Sequence, residues 1–387
     1  MPDLSEFQTQ NLFLLVGTNP LPNYVAARLL LKPGGNLYLV HTAKTDTIAN
    51  RLIAVLKLEK NPIKILVNEA EGDNIFAQVC KYAPKYATGG HDVGLNYTGG
   101  TKTMAVHAYR AVVKGNRPDA VFTYLDARSL RMVIERQGQA ALSVPVALEV
   151  KPDIQTLLAL HGYTLKHDLV QEPKWPEICQ ALACNGMQWR DWCDRNLRSG
   201  PHTPLRKKEE LKEVALPCVK GINWGDSSKL GERAVLWSEE VDKLAQWLDG
   251  KWLEHYTLWA LKKIAPECQI HQVGMNVEPK ERNFEFDVVA MRGYQLFALS
   301  CSTQSKKGEL KPKLFEAYVR TRQMGGDEAR VGLVCCAPKD NADSNPAAIQ
   351  SEIEETWDAQ GKVRVFGAEH LPELPAYLKD WFDSQPQ

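Results

Sequence analysis

Neither sign of charge is in excess in this sequence: Lys plus Arg and Asp plus Glu both number 47. Without a positive balance the totals give no broad basic face for nucleic acid, and only local patches stay open. No apolar run approaches the roughly 18 residues that suggest a membrane span. The stretch Met1 to Gln10 is polar and acidic and does not resemble a signal peptide. The nine cysteines fit no zinc spacing. Cys179, Cys184 and Cys193 lie near one another without a ligand pattern, and Cys335-Cys336 falls in a strand-like apolar run. These absences lead to the expectation of a cytoplasmic protein with reduced thiols and no membrane contact. What is present is ordinary globular material. The 387 residues suffice for two or three domains, and an apolar fraction of 44% permits sizeable cores.

The stretch that organises the chain is Leu95-Asn96-Tyr97-Thr98-Gly99-Gly100-Thr101-Lys102-Thr103-Met104. Val93 to Tyr97 reads as a buried strand. Met104, Ala105, Ala108 and Val112 follow with helical spacing, so the layout is strand, Gly-Gly turn, helix. Glycines there let the backbone approach a ligand, and the helix start offers unpaired N–H groups to phosphate. The plain alternative is a connection whose glycines only relieve crowding.

Upstream, Asn11 to Gly17 reads as a buried parallel strand and Tyr24 to Leu31 as a short helix. Asn36 to Thr42 is a second strand, Asp46 to Leu58 a second helix, and Lys64 to Val67 a third strand. Ile75 to Tyr82 is helical, with Pro84 to stop it. Ala120 to Leu125 and Leu130 to Arg136 are strand-like, and Val144 to Val150 closes the block. Strands alternating with helices predict a parallel, doubly wound sheet, which binds ligands at the carboxyl ends of its strands. Gly17 to Asn23, Thr42 to Thr45 and Asn96 to Lys102 each follow an apolar strand and so converge on one sheet edge.

The motif Asn-x-Thr-Gly-Gly-Thr-Lys-x-Met resembles the signature of CARF domains, the sensors of CRISPR type III systems that bind cyclic oligoadenylate. The resemblance implies a Rossmann-like domain over residues 1–150 that pairs into a homodimer with one ligand, cyclic tetra-adenylate, across the axis. It implies ligand contacts from Thr18, Asn19, Pro22, Asn23, Thr42, Thr98, Gly99, Gly100, Thr101, Lys102 and Met104. Asn and Thr suit adenine edges and ribose hydroxyls, and glycine N–H groups with Lys102 suit phosphates.

Residues 151–235 read as a helical or winged-helix-like linker. Asp153 to Leu160 and Pro176 to Leu197 are its predicted helices. Arg206-Lys207-Lys208-Glu209-Glu210 is a mixed charge run with the character of a solvated face.

In residues 236–387, Ser238 is expected to cap a helix that Gly250 stops. Thr257, Ala260, Leu261 and Ile264 form a helical stripe. Phe284 to Ala290 and Gln295 to Leu299 are strands joined at Arg292-Gly293. Pro312 to Met324 is a helix ending at Gly325-Gly326, and Val331 to Cys336 is a further strand. This order is similar to the PD-(D/E)xK nuclease domain that follows the sensor in CARF-containing ancillary nucleases, as are the Glu254 helix, the Glu-Phe-Asp strand and Gln323-x-Gly-Gly. The fold expected is thus α/β throughout: a Rossmann-like CARF domain, a small linker and a nuclease-like α/β domain.

That family holds Mg²⁺ or Mn²⁺ on carboxylates and cuts DNA or RNA, with Lys of a Glu-x-Lys pair orienting or activating water. Glu254 and Asp287 match the metal carboxylates. Glu-x-Lys is replaced by Ser300-Cys301-Ser302. Strand periodicity puts Ser300 and Ser302 on one face, where acid and base belong, and serine supplies neither. A pseudo-nuclease that binds nucleic acid or protein without cutting, a site whose groups have moved to Lys306, Lys307, Lys313 or Glu316, and a silenced enzyme are all open.

Overall fold

The computed structural model describes residues 4–83, 93–114, 119–224, 228–340 and 345–386. In the N-terminal lobe, β1 (Thr9–Leu15), α1 (Leu21–Leu30), β2 (Leu31–His41), α2 (Asp46–Leu56), β3 (Ile63–Leu66) and α3 (Gly72–Tyr82) alternate. Next come β4 (Val93–Asn96), α4 (Lys102–Lys114), β5 (Val121–Asp126), β6 (Arg131–Arg136) and β7 (Leu142–Pro145). Pro84, expected to stop α3, lies outside the described residues. The sheet runs β3-β2-β1-β4-β5-β6-β7. The strands from β3 to β5 are parallel. The sequence reading of an all-parallel sheet is corrected at its far edge, where β6 and β7 return antiparallel. Their connections are tight turns, which cannot make a parallel crossover.

The order matters for function. The chain builds outward from β1 to β3, then returns to lay β4 against the other side of β1. The connections after β1 and β4 therefore diverge, and a crevice opens between the carboxyl ends of these neighbours.

The middle segment is helical: α5 (Ile154–His161), α6 (Pro176–Cys184), α7 (Gly186–Asn196), α8 (Lys208–Lys212) and α9 (Leu230–Leu236). The isolated bridges Arg198–Leu205 and Ala215–Lys229 lie within it, and Leu165–Pro279 and Val170–Met275 pair it with the C-terminal lobe. The single helix expected over Pro176–Leu197 is broken at Asn185, whose amide donates to the Ala181 carbonyl at 2.8 Å and ends α6. Arg190 bonds the Thr303 hydroxyl at 3.1 Å and Arg198 the Asp249 carboxylate at 2.9 Å, so buried polar contacts tie this segment to the C-terminal lobe.

That lobe contains α10 (Val241–Gln246), α11 (Trp252–Ile264), β8 (Ile270–Val277), β9 (Phe286–Arg292), β10 (Gln295–Ser302) and α12 (Lys307–Gly325). It ends with β11 (Arg330–Cys335), α13 (Pro346–Trp357), β12 (Val363–Phe366) and α14 (Leu374–Asp383). The sheet order is β12-β11-β10-β9-β8. Two local expectations fail. Ser238 does not cap a helix: it sits at φ 55 in the left-handed region, and α10 starts at Val241. Gly250 does not end one either. It lies inside a π-helical turn, Trp247–Lys251, that runs on into α11. The wider turn brings Trp247, Leu248, Trp252 and Leu253 into one apolar cluster, which outweighs the glycine's weak stop signal.

One core crosses the lobe boundary. Leu12, Leu14 and Val16 belong to the same buried cluster as Met291, Tyr294, Leu296 and Met324. At the tip of the β9–β10 hairpin Gly293 adopts φ +55, and a Cβ there would strike the Ala147 carbonyl. Close by, Glu328 is buried, and burial, aided by Asp327, pushes its carboxyl up to about 7.

This sets a pH signature. The folded chain keeps the Glu328 proton after the unfolded chain, with an ordinary carboxyl, has released it. Stability therefore falls as pH rises from about 4.3 toward 7. Glu328→Gln should remove that component. Its urea midpoint should match the parent at pH 4.5 and exceed it at pH 8 by the equivalent of roughly 3 kcal/mol at most. A variant-minus-parent difference that does not change with pH would contradict the assignment.

Candidate functional site

Two groups of residues are brought together, one at each sheet. In the first lobe the crevice between β1 and β4 receives the Gly17–Pro20 loop and the Tyr97–Thr101 loop. These are locked to each other. A Cβ on Gly99 would run into the Leu15 carbonyl, and one on Gly17 would sit 3.0 Å from the Gly100 nitrogen. Gly100 takes φ +75, which a side chain would strain. Thr101 caps α4 by accepting from the Met104 N–H at 3.1 Å, and just before α1, whose N-cap is Pro20, Asn19 accepts from the Leu21 N–H at 3.0 Å. Two helix starts thus open on the same crevice, and their first-turn amides favour an anion there.

The predicted ligand residues divide by exposure. Thr18, Gly100, Thr101 and Lys102 are exposed at the rim, and Thr98 and Gly99 are half-buried. The Thr98 hydroxyl accepts from the Leu125 N–H at 2.7 Å. Pro22, Asn23, Thr42 and Met104 are buried. Met104 is sealed in the core under α4. Pro22 sits in the first turn of α1, where its fixed φ suits a helix start. The Thr42 hydroxyl accepts from the Thr45 N–H at 3.3 Å, closing a short turn. Asn23 donates to the Leu15 carbonyl at 3.0 Å, while its Oδ1 is sealed beside Gly99 without a partner among the described residues. Asn19 faces inward too: a Cβ on Gly326 would collide with both the Asn19 amide and the Glu328 carboxylate. A side chain of the Gly17–Pro20 loop therefore meets the residue that follows α12.

In the second lobe Asp287 accepts from the Ser300 hydroxyl at 3.0 Å and the Cys301 N–H at 2.6 Å. Glu254, at the start of α11, is 8% exposed and accepts from Lys251 Nζ at 2.9 Å. Lys251 also lies 3.7 Å from Glu285. Burial first and the charge of Asp287 second raise the Glu254 carboxyl to about 7. Ser302 is buried, its hydroxyl accepting from the Gln304 N–H at 3.3 Å. Beside Asp287 and Ser300 a cleft of about 190 Å³ is also lined by Glu285, Lys313, Glu316 and Arg320. Lys251, Glu285 and Arg320 did not emerge from the sequence reading. The spacing Lys313, Glu316, Arg320 does mark one helical face.

No group of three or more His, Cys, Asp or Glu fit to hold a metal occurs among the described residues. The donor chemistry nonetheless suits a hard cation, since magnesium is commonly held by one or two carboxylates and water. Glu254 and Asp287 are such a pair, and a bound cation would offset both the burial and the Asp287 charge that raise the Glu254 carboxyl.

No protein-family model and no curated protein matches this sequence. Solved structures do match. Can2 from Sulfobacillus thermosulfidooxidans, in complex with cyclic tetra-adenylate, aligns over 98% of this chain and 98% of its own, with a TM-score of 0.67 and 17% identity. This chain has the fold of Can2. Protein VC1899 from Vibrio cholerae aligns over 97% of this chain and 98% of its own, with a TM-score of 0.70 and 16% identity. A type III CRISPR defence DNA nuclease activated by cyclic oligoadenylate aligns over 86% of this chain but 47% of its own, at a TM-score of 0.53 and 18% identity. The Can2-like fold spans both lobes, so the crevice and the cleft belong to one architecture. Among the described residues no helix is long and apolar enough to cross a membrane.

The interlocked loops predict a contrast. Gly99→Ala forces a Cβ against backbone and should destabilise by about 1–3 kcal/mol. Lys102→Ala, at an exposed position, should leave the melting temperature within about 1 °C. Equal melting of both variants would show that the loops are not packed as described.

Proposed function

We propose that this chain is a cyclic oligoadenylate sensor of type III CRISPR defence, a CARF-family effector whose ligand, cyclic tetra-adenylate, gates a metal-dependent nuclease acting on DNA or RNA. The observation that carries the reading is the crevice itself. Two helix starts, a Gly-Gly loop and an exposed lysine meet at the topological switch point of a fold shared end to end with a protein solved in complex with that ligand.

Lys102 and the amides around Gly100 take the phosphates, and Thr18 and Thr98 reach toward ribose or base. The acting unit is a homodimer. Val106, Tyr109 and Val113 expose one apolar stripe of α4, and Tyr124 of β5 is exposed nearby. Tyr124 lies 6.0 Å, ring to ring, from Tyr97 in the ligand loop. A second copy seated on this stripe places two crevices side by side, which suits a ligand of rotational symmetry. Because one core spans both lobes, ligand binding moves protomers against each other more readily than lobes within a protomer.

In the nuclease lobe Glu254 and Asp287 would hold Mg²⁺ or Mn²⁺, which when bound supplies charge neutralisation at a phosphodiester. Ser300 and the Cys301 N–H orient Asp287. The second reading, a silent sensor whose C-terminal lobe binds without cutting, draws on the same strand. Ser300 and Ser302 stand where an acid and a base are expected, and Ser302 is buried.

Titration with cyclic tetra-adenylate should show saturable binding that Lys102→Ala weakens roughly 10- to 100-fold, the worth of a charge-assisted hydrogen bond. No binding of any cyclic oligoadenylate would end the proposal. Plasmid DNA and RNA cut only with ligand and Mn²⁺ supports the gated nuclease, and tight binding without cutting supports the silent sensor. Tyr109→Glu should convert a dimer to a monomer in light scattering, and an unchanged mass would exclude the α4 interface.

A further inference from the structure

We infer that the groove at the amino ends of β1 and β2, lined by Arg28, Lys32, Lys57 and Lys60, holds the phosphate backbone of a nucleic-acid duplex. The inference deepens the nuclease reading by giving its substrate a place to dock. Its location rests on charge and backbone geometry alone.

The groove encloses about 330 Å³. Four cations line it against a single acid, Glu59, in a chain whose charges balance overall. None of the four has an ion-pair partner among the described residues. Cations elsewhere are matched: Lys307 and Lys311 share Glu352, and Lys251 lies between Glu254 and Glu285. The cleft beside Asp287 sets Lys313 and Arg320 against Glu285, Asp287 and Glu316. That lining offers a polyanion no net attraction, and the groove supplies what the cleft lacks.

The backbone builds the groove. β1 and β2 pair Thr9 with Leu31 and then Asn11 with Asn36, so residues 32–35 bulge out of the ladder. Gln8 Nε2 donates to the Leu29 carbonyl at 3.2 Å and Gln10 Nε2 to the Gly34 carbonyl at 3.3 Å, which pins the bulge. Gly34 turns the chain at φ +68. The C-cap of α2 is Lys57 at φ 48, where glycine is the usual residue. Helix-end carbonyls favour a cation at Lys57 and at Arg28 in the last turn of α1. Lys32 and Lys60 stand outside both helices, so that role does not account for them.

The lining contains no aromatic side chain. Tyr24 is 7% exposed, and Arg28 lies over its ring, 5.2 Å from the centroid. Proteins hold single strands by stacking bases on exposed aromatic rings. A duplex keeps its bases stacked within itself and presents phosphates, which cations bind without reading sequence. Unpaired cations without an aromatic platform therefore fit a duplex. The ten residues of α1 span about 15 Å from the crevice at its start to the groove at its end, so both can be filled together.

The test uses the full-length protein in EDTA, where binding is read without cutting. Fluorescence anisotropy follows labelled DNA and RNA duplexes of about 20 base pairs from about 50 to 200 mM salt. Affinity should fall with salt at a log–log slope of about −3 to −4, as four phosphate contacts require. Lys32→Ala combined with Lys60→Ala should weaken binding at least about 10-fold at the lowest salt and reduce the slope by about 2. Its melting temperature should stay within about 1 °C of the parent. Lys307→Ala combined with Lys311→Ala removes the same charge elsewhere and should change binding less than about 3-fold. The duplex that binds more tightly, DNA or RNA, is the assigned partner. The groove is overturned if neither duplex binds, if a single strand binds more tightly than both, or if the two double variants lose affinity equally. Cleavage with cyclic tetra-adenylate and Mn²⁺ is followed separately. Cutting by a protein whose duplex affinity ignores Lys32 and Lys60 overturns the groove and leaves the nuclease reading. Duplex binding that depends on them in a protein that never cuts supports the groove and leaves the silent sensor.

Discussion

The structure depends on one apolar seam. Residues of β1, an interior strand of the first sheet, share a core with β9, β10 and the end of α12. Burial of this kind is worth roughly 25 cal/mol per Å² and resists partial opening, because packed interiors do not deform continuously. The seam fixes the crevice of the first lobe relative to the cleft of the second. It also sets Asn19 against Gly326, so the Gly17–Pro20 loop and the residue that follows α12 are in direct contact. The same helix lines the cleft along its middle. A change at the loop therefore meets a rigid element that reaches the site of proposed chemistry.

The second lobe is governed by charge in a confined space. Glu254, Glu285 and Asp287 are gathered near one edge of the sheet, and Lys251 is drawn among them. Without it the partly buried carboxylates would have to take up protons or leave the site, since uncompensated buried charge is costly. A lysine held this way serves as an internal counterion. The contacts of Ser300 and the Cys301 N–H with Asp287 do the complementary job of holding a carboxylate with neutral donors.

Much of this was legible in the sequence. Alternating apolar runs and helical stripes placed most strands and helices, because the periods of 2 and 3.6 are local properties of the chain. The signals that misled were local too. Gly250 reads as a helix stop, yet the packing of Trp247 and Trp252 carries the chain through it. The contacts of Asn23 with the Leu15 carbonyl and of Met104 with the core under α4 join residues that no local pattern connects, while Thr42 meets the Thr45 N–H within one turn. The strand β8 escaped notice because Gly274 and a left-handed Asn276 interrupt its pattern.

The sequence by itself determined that a Gly-Gly turn opens a helix after a buried strand, that the chain alternates strand and helix, and that serines stand where an acid and a base were expected. Each of these is written in residues adjacent along the chain. Only the tertiary structure decided that β4 returns beside β1, that Lys313 and Glu316 line one cleft with Asp287, and that Asn19 meets Gly326. Those meetings join residues far apart in sequence. They are set by which apolar faces bury one another, and no periodicity within a single element encodes that choice.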